Sequence, residues 1–373
     1  MIDKKRIIIL ILLVWIFGMS LLSMVMPNQT FSRMENRYLA EFPTVSLRNV
    51  LDGSFEEKFE LYLNDHFALR DIFVRLSKLK SYALGIREFG DVYYAKDDTL
   101  LRRLKPNEER ASANTAAIAE YAKNAEIPVD FALIPGAVAI WNEKLPDHVP
   151  NYDQEAEIQR IYDSLGSSYV NCVDMYEALA SHDTEYIYYH TDHHWTSLGA
   201  YYGYAAYIDT IGQAAASIAD YKDTSLSEAF LGTLYSDAPF PWIAPDEIHA
   251  YVPDENISVT VFDGMEYQNG ELYVKDNLKE KNQYTVFLGG NQPLITVQSQ
   301  KTQGEKLLIV RDSYMDSMTP FLTTQFSEIH LIDPRYYKQE LSSYIEEHDI
   351  DRVLICMSLS SYMESSGLLP ILK

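Results

Sequence analysis

The chain is 373 residues long, of which 47% are hydrophobic and 23% are charged, and its formal net charge is -23. This composition is typical of a well-cored globular protein and excludes a disordered chain. The strongly negative charge argues against binding to nucleic acid or to anionic lipid headgroups. The two cysteines, Cys172 and Cys356, lie far apart in apolar runs, so neither a disulfide framework nor a zinc knuckle is supported.

The N-terminus predicts the compartment. Three basic residues at positions 4 to 6 precede an uncharged stretch from Ile7 to Met26, which is long enough to span a bilayer. The alternative is a cleavable signal peptide, although no A-x-A-like cleavage site follows. The expected domain organisation is a cytoplasmic stub with a transmembrane signal anchor over residues 1–26, a membrane-proximal linker over 27–54 and an extracytoplasmic domain over 55–373.

Hydrophobic periodicity predicts the elements of the first half. Apolar residues recur every three to four positions from Phe55 to Leu76, which indicates one amphipathic helix. In chain order there follow short strands at 92–95 and 99–101, a helix at 108–123, a buried strand at 129–134, a helix at 155–165 and a short strand at 169–173. A further helix follows the sequence YHTDHHW at 189–195, with Thr196 or Ser197 as its N-cap.

The second half predicts a sheet with crossover helices. Residues from about 225 to 300 carry short alternating runs, which indicate antiparallel strands in a β-rich insertion over the core. The last segment alternates a strand at 306–310, a helix at 315–326, a strand at 329–332, a helix at 339–347 and a strand at 353–357. This order indicates a parallel sheet, whose ligand sites lie at the carboxyl ends of the strands.

Two segments carry the residue types of nucleophilic catalysis. Ser313 lies at a predicted turn between a strand and a helix. A serine on such a turn is exposed for attack, and backbone N–H groups at the start of the helix can stabilise an oxyanion. The alternative is that Ser313 only caps the helix. A serine hydroxyl needs a base and a carboxylate that orients the base, and His194 and Asp192 provide both in one short loop.

The same loop has two other interpretations. One is a metal site with His190, Asp192, His193 and His194 as ligands. The adjacent histidines point to opposite sides of an extended segment, whereas zinc commonly takes its ligands from two separated elements. The other is a histidine-rich loop without chemistry.

Several motifs in consistent order resemble the DHHW protein family, which is named for the residues that stand here at 192–195. Supporting stretches are FLGGN at 287–291, DSY at 312–314 followed by PFL at 320–322, IDPRYY at 332–337, ENR at 35–37 with FP at 42–43, and the helix with Asp65, Phe67 and Arg70. That family in turn resembles the SGNH-hydrolase-like alginate O-acetyltransferases, whose D-x-H-W and later serine motifs match Asp192, His194, Trp195 and Ser313.

The resemblance implies an SGNH-hydrolase-like α/β fold in three layers, with a mostly parallel sheet. It also implies that Ser313 is the nucleophile, His194 the general base and Asp192 its orienter, while His193 supports the site or contacts substrate. The sequence departs from these enzymes at two places near the expected site. Arg311 replaces the glycine that SGNH enzymes generally carry there, so it points away from the nucleophile or binds an anionic group. The stretch IPGA at 134–137 lacks the lysine that alginate-type enzymes often have.

Further residues are candidates for stabilising an oxyanion or binding substrate. The backbone N–H of Tyr314 and the amide of Asn291 are the expected oxyanion donors, although the glycines before Asn291 also suit a tight turn. Arg335 grips an anionic sugar or the acyl donor, or it forms an ion pair with Asp333. Trp195 stacks on a sugar ring or packs beneath the loop.

The expected function is O-acyl transfer by a membrane-anchored enzyme outside the cytoplasm. An acetyl group would move through an acyl-serine to a cell-surface or secreted polysaccharide, with no cofactor or metal. Acetyl-coenzyme A is cytoplasmic, so the resemblance implies a membrane-bound O-acyltransferase partner that relays the acyl group. The same triad would suit a polysaccharide acetylesterase. An alternative of a different class is a non-catalytic glycan-binding or assembly protein on an SGNH-like scaffold.

Overall fold

The computed structural model describes residues 4–166, 169–253, 256–299 and 304–373. The first three residues of the expected cytoplasmic stub, and a few positions of the expected β-rich region, lie outside these ranges. The chain divides into one unit of Met1–Phe89 with Ser236–Trp242 and a second unit of Gly90–Tyr235 with Ile243–Lys373. The two units part at residue 89, whereas the boundary expected from the sequence is at residue 54.

The first unit begins with an apolar helix. Its elements are α1 (Lys4–Val25), β1 (Phe31–Ser32), β2 (Arg37–Tyr38), α2 (Leu47–Leu51), α3 (Ser54–Asp65), α4 (Arg70–Ala83) and β3 (Glu88–Phe89). Helix α1 has 22 residues, a mean hydropathy of 2.7 in its most apolar window and no buried residue. Among the described residues it is the helix long and apolar enough to cross a membrane, which fits a single-pass anchor or a signal sequence.

The single amphipathic helix expected from Phe55 to Leu76 is wrong, because the chain forms two helices there. Helix α3 ends at Asp65 and α4 starts at Arg70, with Leu69 between them in a left-handed conformation at a φ of 60°. The Ala68 N–H donates to Ser23 Oγ at 2.9 Å, and His66 Nε2 lies 2.9 Å from the carbonyl of Ala40. These tertiary hydrogen bonds stabilise a break that hydrophobic spacing alone does not reveal.

Charged residues of the first unit form an ion-pair network at this break. The Arg37 guanidinium donates to Asp65 at 2.5 and 2.9 Å, and Arg70 donates to Glu35 at 2.5 and 3.0 Å. Asp65 also accepts from the Ala40 N–H at 2.8 Å, with its side chain only 9% exposed. The network connects the β1–β2 hairpin to the helix ends, which gives the ENR and helix motifs of the sequence a structural role.

The second unit contains the longer succession of strands and helices. Its elements are β4 (Val92–Tyr94), β5 (Leu100–Arg102), α5 (Glu108–Asn124), β6 (Val129–Ile134), α6 (Ala137–Ile140), α7 (Gln154–Leu165), β7 (Asn171–Val173), α8 (Met175–Ala180), α9 (Ser197–Thr210), β8 (Lys222–Phe230), α10 (Thr233–Asp237), β9 (Asp246–Val252), β10 (Ser258–Phe262), β11 (Tyr267–Gly270), β12 (Leu294–Gln298), β13 (Lys306–Arg311), α11 (Tyr314–Leu322), β14 (Glu328–Ile332), α12 (Leu341–His348), β15 (Arg352–Ser358), α13 (Leu359–Glu364) and α14 (Leu368–Ile371). The predicted helices and strands of this part are confirmed, with most bounds shifted by one or two residues.

Within the described residues the main sheet has eight strands, in the order β11-β10-β12-β14-β13-β15-β6-β7. The five strands from β14 to β7 run parallel, and the other three pair antiparallel at one edge. This confirms the predicted mixed α/β fold with a mostly parallel sheet. Strand β13 lies between β14 and β15, so the residues that follow it emerge in the middle of the carboxyl edge.

The β-rich region from about 225 to 300 is only partly separate from the core. Strands β8 and β9 pair antiparallel in a sheet of their own, with irregular register after Ser225. Strands β10, β11 and β12 instead extend the main sheet, with Leu294 paired to Ile332 of β14. The region therefore adds an antiparallel edge to the parallel sheet as well as a separate ribbon.

Helices cover both faces of the main sheet. In β13, Leu307 and Ile309 belong to one buried cluster with side chains of α9 and α11, while Leu308 and Val310 belong to another with side chains of α5, α7 and α12. Alternate residues of a strand point to opposite faces, so a strand covered on both sides is apolar throughout. The result is a layer of helices on each side of the sheet.

Candidate active site

The histidine-rich loop is a narrow turn that leads into α9. Tyr188 and Trp195 form an antiparallel bridge, and the Thr196 N–H donates to the carbonyl of Ile187 at 2.9 Å. Thr196 is the N-cap of α9, and its hydroxyl accepts from the Gly199 N–H at 3.3 Å. The bridge and the cap fix both ends of the segment, so residues 190–194 form the tip.

A buried carboxylate that no sequence motif indicates holds this tip. Asp246, at the start of β9, accepts from the N–H groups of His190 at 2.8 Å and Thr191 at 2.7 Å, and from the hydroxyls of Thr191 and Tyr186 at 2.5 Å each. Burial raises the pKa of Asp246 above its ordinary value, although these hydrogen bonds oppose the shift. Asp246 thereby sets the backbone of the residues just before Asp192.

The structure brings three of the predicted site residues into hydrogen-bond contact. Ser313 Oγ lies 2.8 Å from His194 Nε2, and His194 Nδ1 lies 2.6 Å from Asp192 Oδ1. Asp192 and His194 are buried, while Ser313 lines an open cleft. Burial alone would raise the pKa of Asp192, but the charges of His193 and His194 and the donors around it bring that pKa well below its usual range. Asp192 is thus an ionised hydrogen-bond acceptor beside the imidazole.

Gly232 and Thr233 hold the second oxygen of Asp192. The Thr233 N–H and hydroxyl donate to Asp192 Oδ2 at 2.7 and 2.9 Å. A side chain at position 232 would bring its Cβ to 2.3 Å from Asp192 Cβ, so this position requires glycine. Neither residue is identifiable from the sequence, since nothing in the GT pair distinguishes it from an ordinary helix start.

Tyr284 packs flat on the imidazole of His194. The two ring centroids are 3.7 Å apart and the planes differ by 8°. The Tyr284 hydroxyl lies 3.1 Å from the Ser313 carbonyl, to which it donates, and 3.0 Å from Ser317 Oγ. Because Tyr284 belongs to a one-turn 3₁₀ helix inside the strand-rich region, no periodicity in the sequence pointed to it.

The other two histidines of the loop, His193 and His190, do not contact Ser313 as His194 does. His193 lines the cleft, and its Nδ1 lies 2.9 Å from Thr233 Oγ1. Burial and the neighbouring His194 lower the pKa of His193. His190 instead packs edge-on against Trp141 and Tyr186 and is not among the residues that line the cleft.

Three of the four ligands of the metal site that was the alternative prediction lie close to one another. Atoms of Asp192, His193 and His194 lie within 4.8 Å of each other. Both oxygens of Asp192 and both ring nitrogens of His194 already have hydrogen-bond partners, which include the Ser313 hydroxyl. A metal at this position would have to displace those partners, so the donor set fits a proton relay better than a metal centre.

Trp195 does not contact the cleft, contrary to its expected role as a sugar platform. The indole is fully buried, and its N–H donates to the Tyr314 carbonyl at 2.9 Å and to Ser317 Oγ at 3.0 Å. A Cβ at Gly203 would lie 2.8 Å from the indole ring, which shows how closely α9 packs on it. The alternative interpretation, packing beneath the loop, is the one observed.

Arg311 is also buried, so the expected contact with substrate is not supported. Its side chain is 0% exposed, and Arg311 Nη1 lies 2.8 Å from Asp316 Oδ1. Arg311 therefore points away from the nucleophile, which is the first of the two possibilities predicted from the sequence. Burial raises the pKa of Asp316 to about 7 even though Arg311 opposes the shift.

The two predicted oxyanion donors have other partners in the structure. The Tyr314 N–H donates to Asp312 Oδ1 at 3.1 Å, and Asp312 Oδ2 accepts from the Ser358 hydroxyl at 2.7 Å. Asn291 is exposed outside the cleft lining and accepts from Arg335 at 3.0 Å. Among the described residues, the Ser313 N–H has no hydrogen-bond partner, which makes it the more accessible donor at the nucleophile.

A polar cleft of about 300 Å³ opens at the nucleophile. It is lined by Ser313, Tyr314 and His193, by serines of α13, and by Arg102, Arg103, Lys105 and Arg335. Arg335 forms the predicted ion pair, with its Nε and Nη2 at 2.9 and 2.6 Å from Asp333. The lining thus combines four basic side chains with the carboxylates of Asp91, Asp192 and Glu364.

Solved structures of similar fold exist. A DHHW family protein from Eubacterium siraeum DSM 15702 is 25% identical over 76% of this chain and 95% of that chain, with a TM-score of 0.66. PatB1 of Bacillus cereus, solved with a sulfonyl adduct, is 21% identical over 75% and 98%, with a TM-score of 0.63. The O-acetyltransferase domain of Pseudomonas putida AlgJ is 13% identical over 74% and 92%, with a TM-score of 0.46.

The sequence itself gives the family. A comparison with curated proteins gave no match. The family model described as DHHW protein matches residues 108–332, which is more than half of the chain. That range includes the loop with Asp192 and His194 as well as Ser313, so the family match and the site coincide. The chain belongs to the DHHW protein family.

Proposed function

We propose that this protein is an extracytoplasmic serine O-acyltransferase that transfers an acetyl group to a cell-surface or secreted polysaccharide. The observation that carries the proposal is the hydrogen-bonded series from Ser313 Oγ to His194 Nε2 at 2.8 Å and from His194 Nδ1 to Asp192 at 2.6 Å. A hydroxyl, an imidazole and a carboxylate in this order form the arrangement that activates a serine nucleophile.

In the first half-reaction, Ser313 Oγ attacks the carbonyl carbon of the acyl donor while His194 Nε2 takes the hydroxyl proton. Asp192 holds the imidazole in the tautomer with Nε2 free and stabilises the imidazolium that forms. The Ser313 N–H is the donor best situated for the developing oxyanion. The bond from the carbonyl carbon to the leaving group then breaks, and His194 returns the proton to that group. An acyl-serine remains.

In the second half-reaction, a sugar hydroxyl attacks the acyl-serine and His194 takes its proton. Collapse of the tetrahedral intermediate breaks the bond to Ser313 Oγ, which regains the proton from His194, and the acetylated sugar leaves. If water replaces the sugar hydroxyl, the same steps give an esterase. The cleft of about 300 Å³ at Ser313 is where the sugar would bind in either reaction.

The acyl donor and the anchor complete the proposal. Acetyl-coenzyme A is made in the cytoplasm, so a membrane-bound O-acyltransferase would carry the acyl group to the outer side. Helix α1, if retained, would hold the enzyme in the same membrane as that partner. PatB1, which shares the fold at 21% identity, was solved with a sulfonyl adduct.

A covalent labelling experiment tests the nucleophile and its base. Full-length protein in detergent would be treated with phenylmethylsulfonyl fluoride and analysed by peptide mass spectrometry, and hydrolysis of 4-nitrophenyl acetate would be followed in parallel. We expect the adduct on Ser313, and a loss of roughly 10³-fold or more in kcat for Ser313→Ala and His194→Ala.

The matched control is Ser360→Ala, which removes another serine that lines the cleft. This variant should keep both labelling and turnover. Equal turnover by wild type, Ser313→Ala and His194→Ala would refute the proposed nucleophile and base. With an oligosaccharide added, an acetylated sugar in the mass spectrum indicates transfer, whereas free acetate alone indicates an esterase.

A further inference from the structure

The positive residues of the cleft differ in whether a carboxylate neutralises them. Four cations line it, and three have carboxylate partners: Arg103 and Lys105 lie 3.6 and 2.5 Å from Asp91, and Arg335 lies 2.6 Å from Asp333. No carboxylate among the described residues pairs with the fourth, Arg102, whose side chain is exposed. The chain has 54 acidic and 31 basic residues, so an arginine in the active-site cleft without a carboxylate partner is unusual for this protein.

Arg102 lies close to the reacting groups. It ends strand β5, whose first residue donates its N–H to the carbonyl of His190 at 2.8 Å, so the strand is attached directly to the catalytic loop. Burial and the charges of His194 and Asp192 dominate the pKa of His193, and the positive charge of Arg102 lowers it further. The guanidinium therefore acts on the same part of the cleft that His193 and Ser313 line.

A second, independent observation comes from Gln154 on the same cleft. This residue begins α7, is only 2% exposed and accepts from the Gly136 N–H through Oε1 at 2.9 Å. That hydrogen bond fixes the orientation of the amide, and its Nε2 has no hydrogen-bond partner in the part of the chain that the structure describes. A buried donor without a partner destabilises the free protein, and a ligand oxygen that accepts from it would remove this cost.

We propose that Arg102 and Gln154 form a recognition site for an anionic group, a carboxylate or a phosphate, on the acceptor glycan. An arginine fork and an amide N–H are both suited to oxygen acceptors that carry negative charge. Glu364 also lines the cleft and would repel such a group, so the anionic group would bind at Arg102 rather than beside Glu364. The inference rests on the acyl-transfer function proposed above.

The first experiment measures binding without catalysis. Full-length Ser313→Ala protein would be titrated by calorimetry with three oligosaccharides of equal length: a neutral one, one with uronic acids and one with sugar phosphates. We expect at least one anionic oligosaccharide to bind about 10-fold or more tightly than the neutral one, because its charged group would gain hydrogen bonds that the neutral sugar cannot make. The tighter of the two anionic ligands identifies the group.

Variants then assign the preference to the two residues. Arg102→Ala in the same background should abolish it, Arg102→Lys should retain part of it, and Gln154→Met should weaken anionic binding several-fold. Lys105→Ala is the control, because it removes a cation that already has Asp91 as partner. In the active enzyme, Arg102→Ala should reduce kcat/KM for the anionic acceptor at least 10-fold more than hydrolysis of 4-nitrophenyl acetate.

The outcomes distinguish this proposal from the proposed function. Equal binding of neutral and anionic oligosaccharides, or a preference that survives Arg102→Ala, overturns the recognition site even where Ser313-dependent turnover is found. Absence of Ser313-dependent turnover overturns the acyl-transfer mechanism, whereas an Arg102-dependent preference in the binding experiment still supports the site.

Discussion

The imidazole of His194 is fixed along two edges and on one face. Asp192 and Ser313 hold its two nitrogens, and the ring of Tyr284 lies 3.7 Å from it in a nearly parallel plane. During acyl transfer the imidazole becomes a cation, and an aromatic face stabilises a nearby cation by about 0.5–2 kcal/mol. Tyr284 should therefore contribute more to the transition state than to the resting enzyme.

The prediction at this scale concerns Tyr284→Leu and Tyr284→Phe. Loss of the aromatic face in the leucine variant should reduce kcat by about 10-fold, with little change in KM, because the interaction strengthens only when charge develops. The phenylalanine variant keeps the ring and should recover most of the loss. Steady-state kinetics with 4-nitrophenyl acetate give both constants, and an equal loss in both variants would show that the hydroxyl bonds matter instead.

The residues that could be predicted are those that lie close together in a motif. Asp192 and His194 belong to one short loop, and Ser313 follows a strand whose apolar run is unmistakable. Thr233, Asp246 and Tyr284 reach the same site from distant segments without a regular spacing, so no local pattern identifies them. Two roles stayed open for Trp195 and for Arg311 for a related reason, since the burial of both side chains depends on tertiary packing.

At the scale of elements, prediction succeeded where a strand or helix is dictated by its own sequence. Strand β6 begins and ends at the predicted residues, because a continuous apolar run suits a strand covered on both faces. The helix expected from Phe55 to Leu76 shows the limit. Its apolar spacing continues across the break at Leu69, and only the hydrogen bond from Ala68 to Ser23 and the ion pairs of Asp65 reveal why the chain turns there.

The ion-pair network at this break predicts how acid affects the first unit. The hydrogen bond from Arg37 is the main cause that lowers the pKa of Asp65 from 3.8 to about 2, against the effect of burial. A carboxyl whose pKa is lower in the folded state contributes stability that is present above pH 4 and is lost as pH falls toward 2. Asp65→Asn should therefore destabilise the unit by about 1–2 kcal/mol at neutral pH and remove this acid-dependent loss.

Hydrogen exchange measured by mass spectrometry on peptides from residues 31–83 reports this unit separately from the rest. The control is Asp71→Asn on α4, since Asp71 is 58% exposed and its oxygen is 4.0 Å from Arg70. That variant should exchange like the wild type. If the two variants exchange at the same rate, the network around Asp65 does not stabilise the helix break.

At the scale of the whole molecule, the buried pair of Arg311 and Asp316 predicts a dependence of stability on pH. Both side chains are almost inaccessible, and burial raises the pKa of Asp316 to about 7. A carboxyl with a raised pKa stabilises the folded state below the ordinary pKa near 4, and this contribution is lost as pH rises through 7. Asp246, whose pKa is also raised, acts in the same direction.

Thermal unfolding of the full-length protein between pH 5 and pH 8 tests this dependence. The Arg311→Gln, Asp316→Asn double variant removes both charges together, so neither is left buried without its partner. Its melting temperature should fall less between these pH values than that of wild type, by an amount equivalent to about 2–4 kcal/mol for a shift of this size. Asp209→Asn removes one exposed negative charge on α9 and controls for the general effect of net charge. Equal slopes in the wild type and the double variant would mean that Asp316 remains ionised beside Arg311 across the range, and that the acidity of the chain as a whole sets its response to pH.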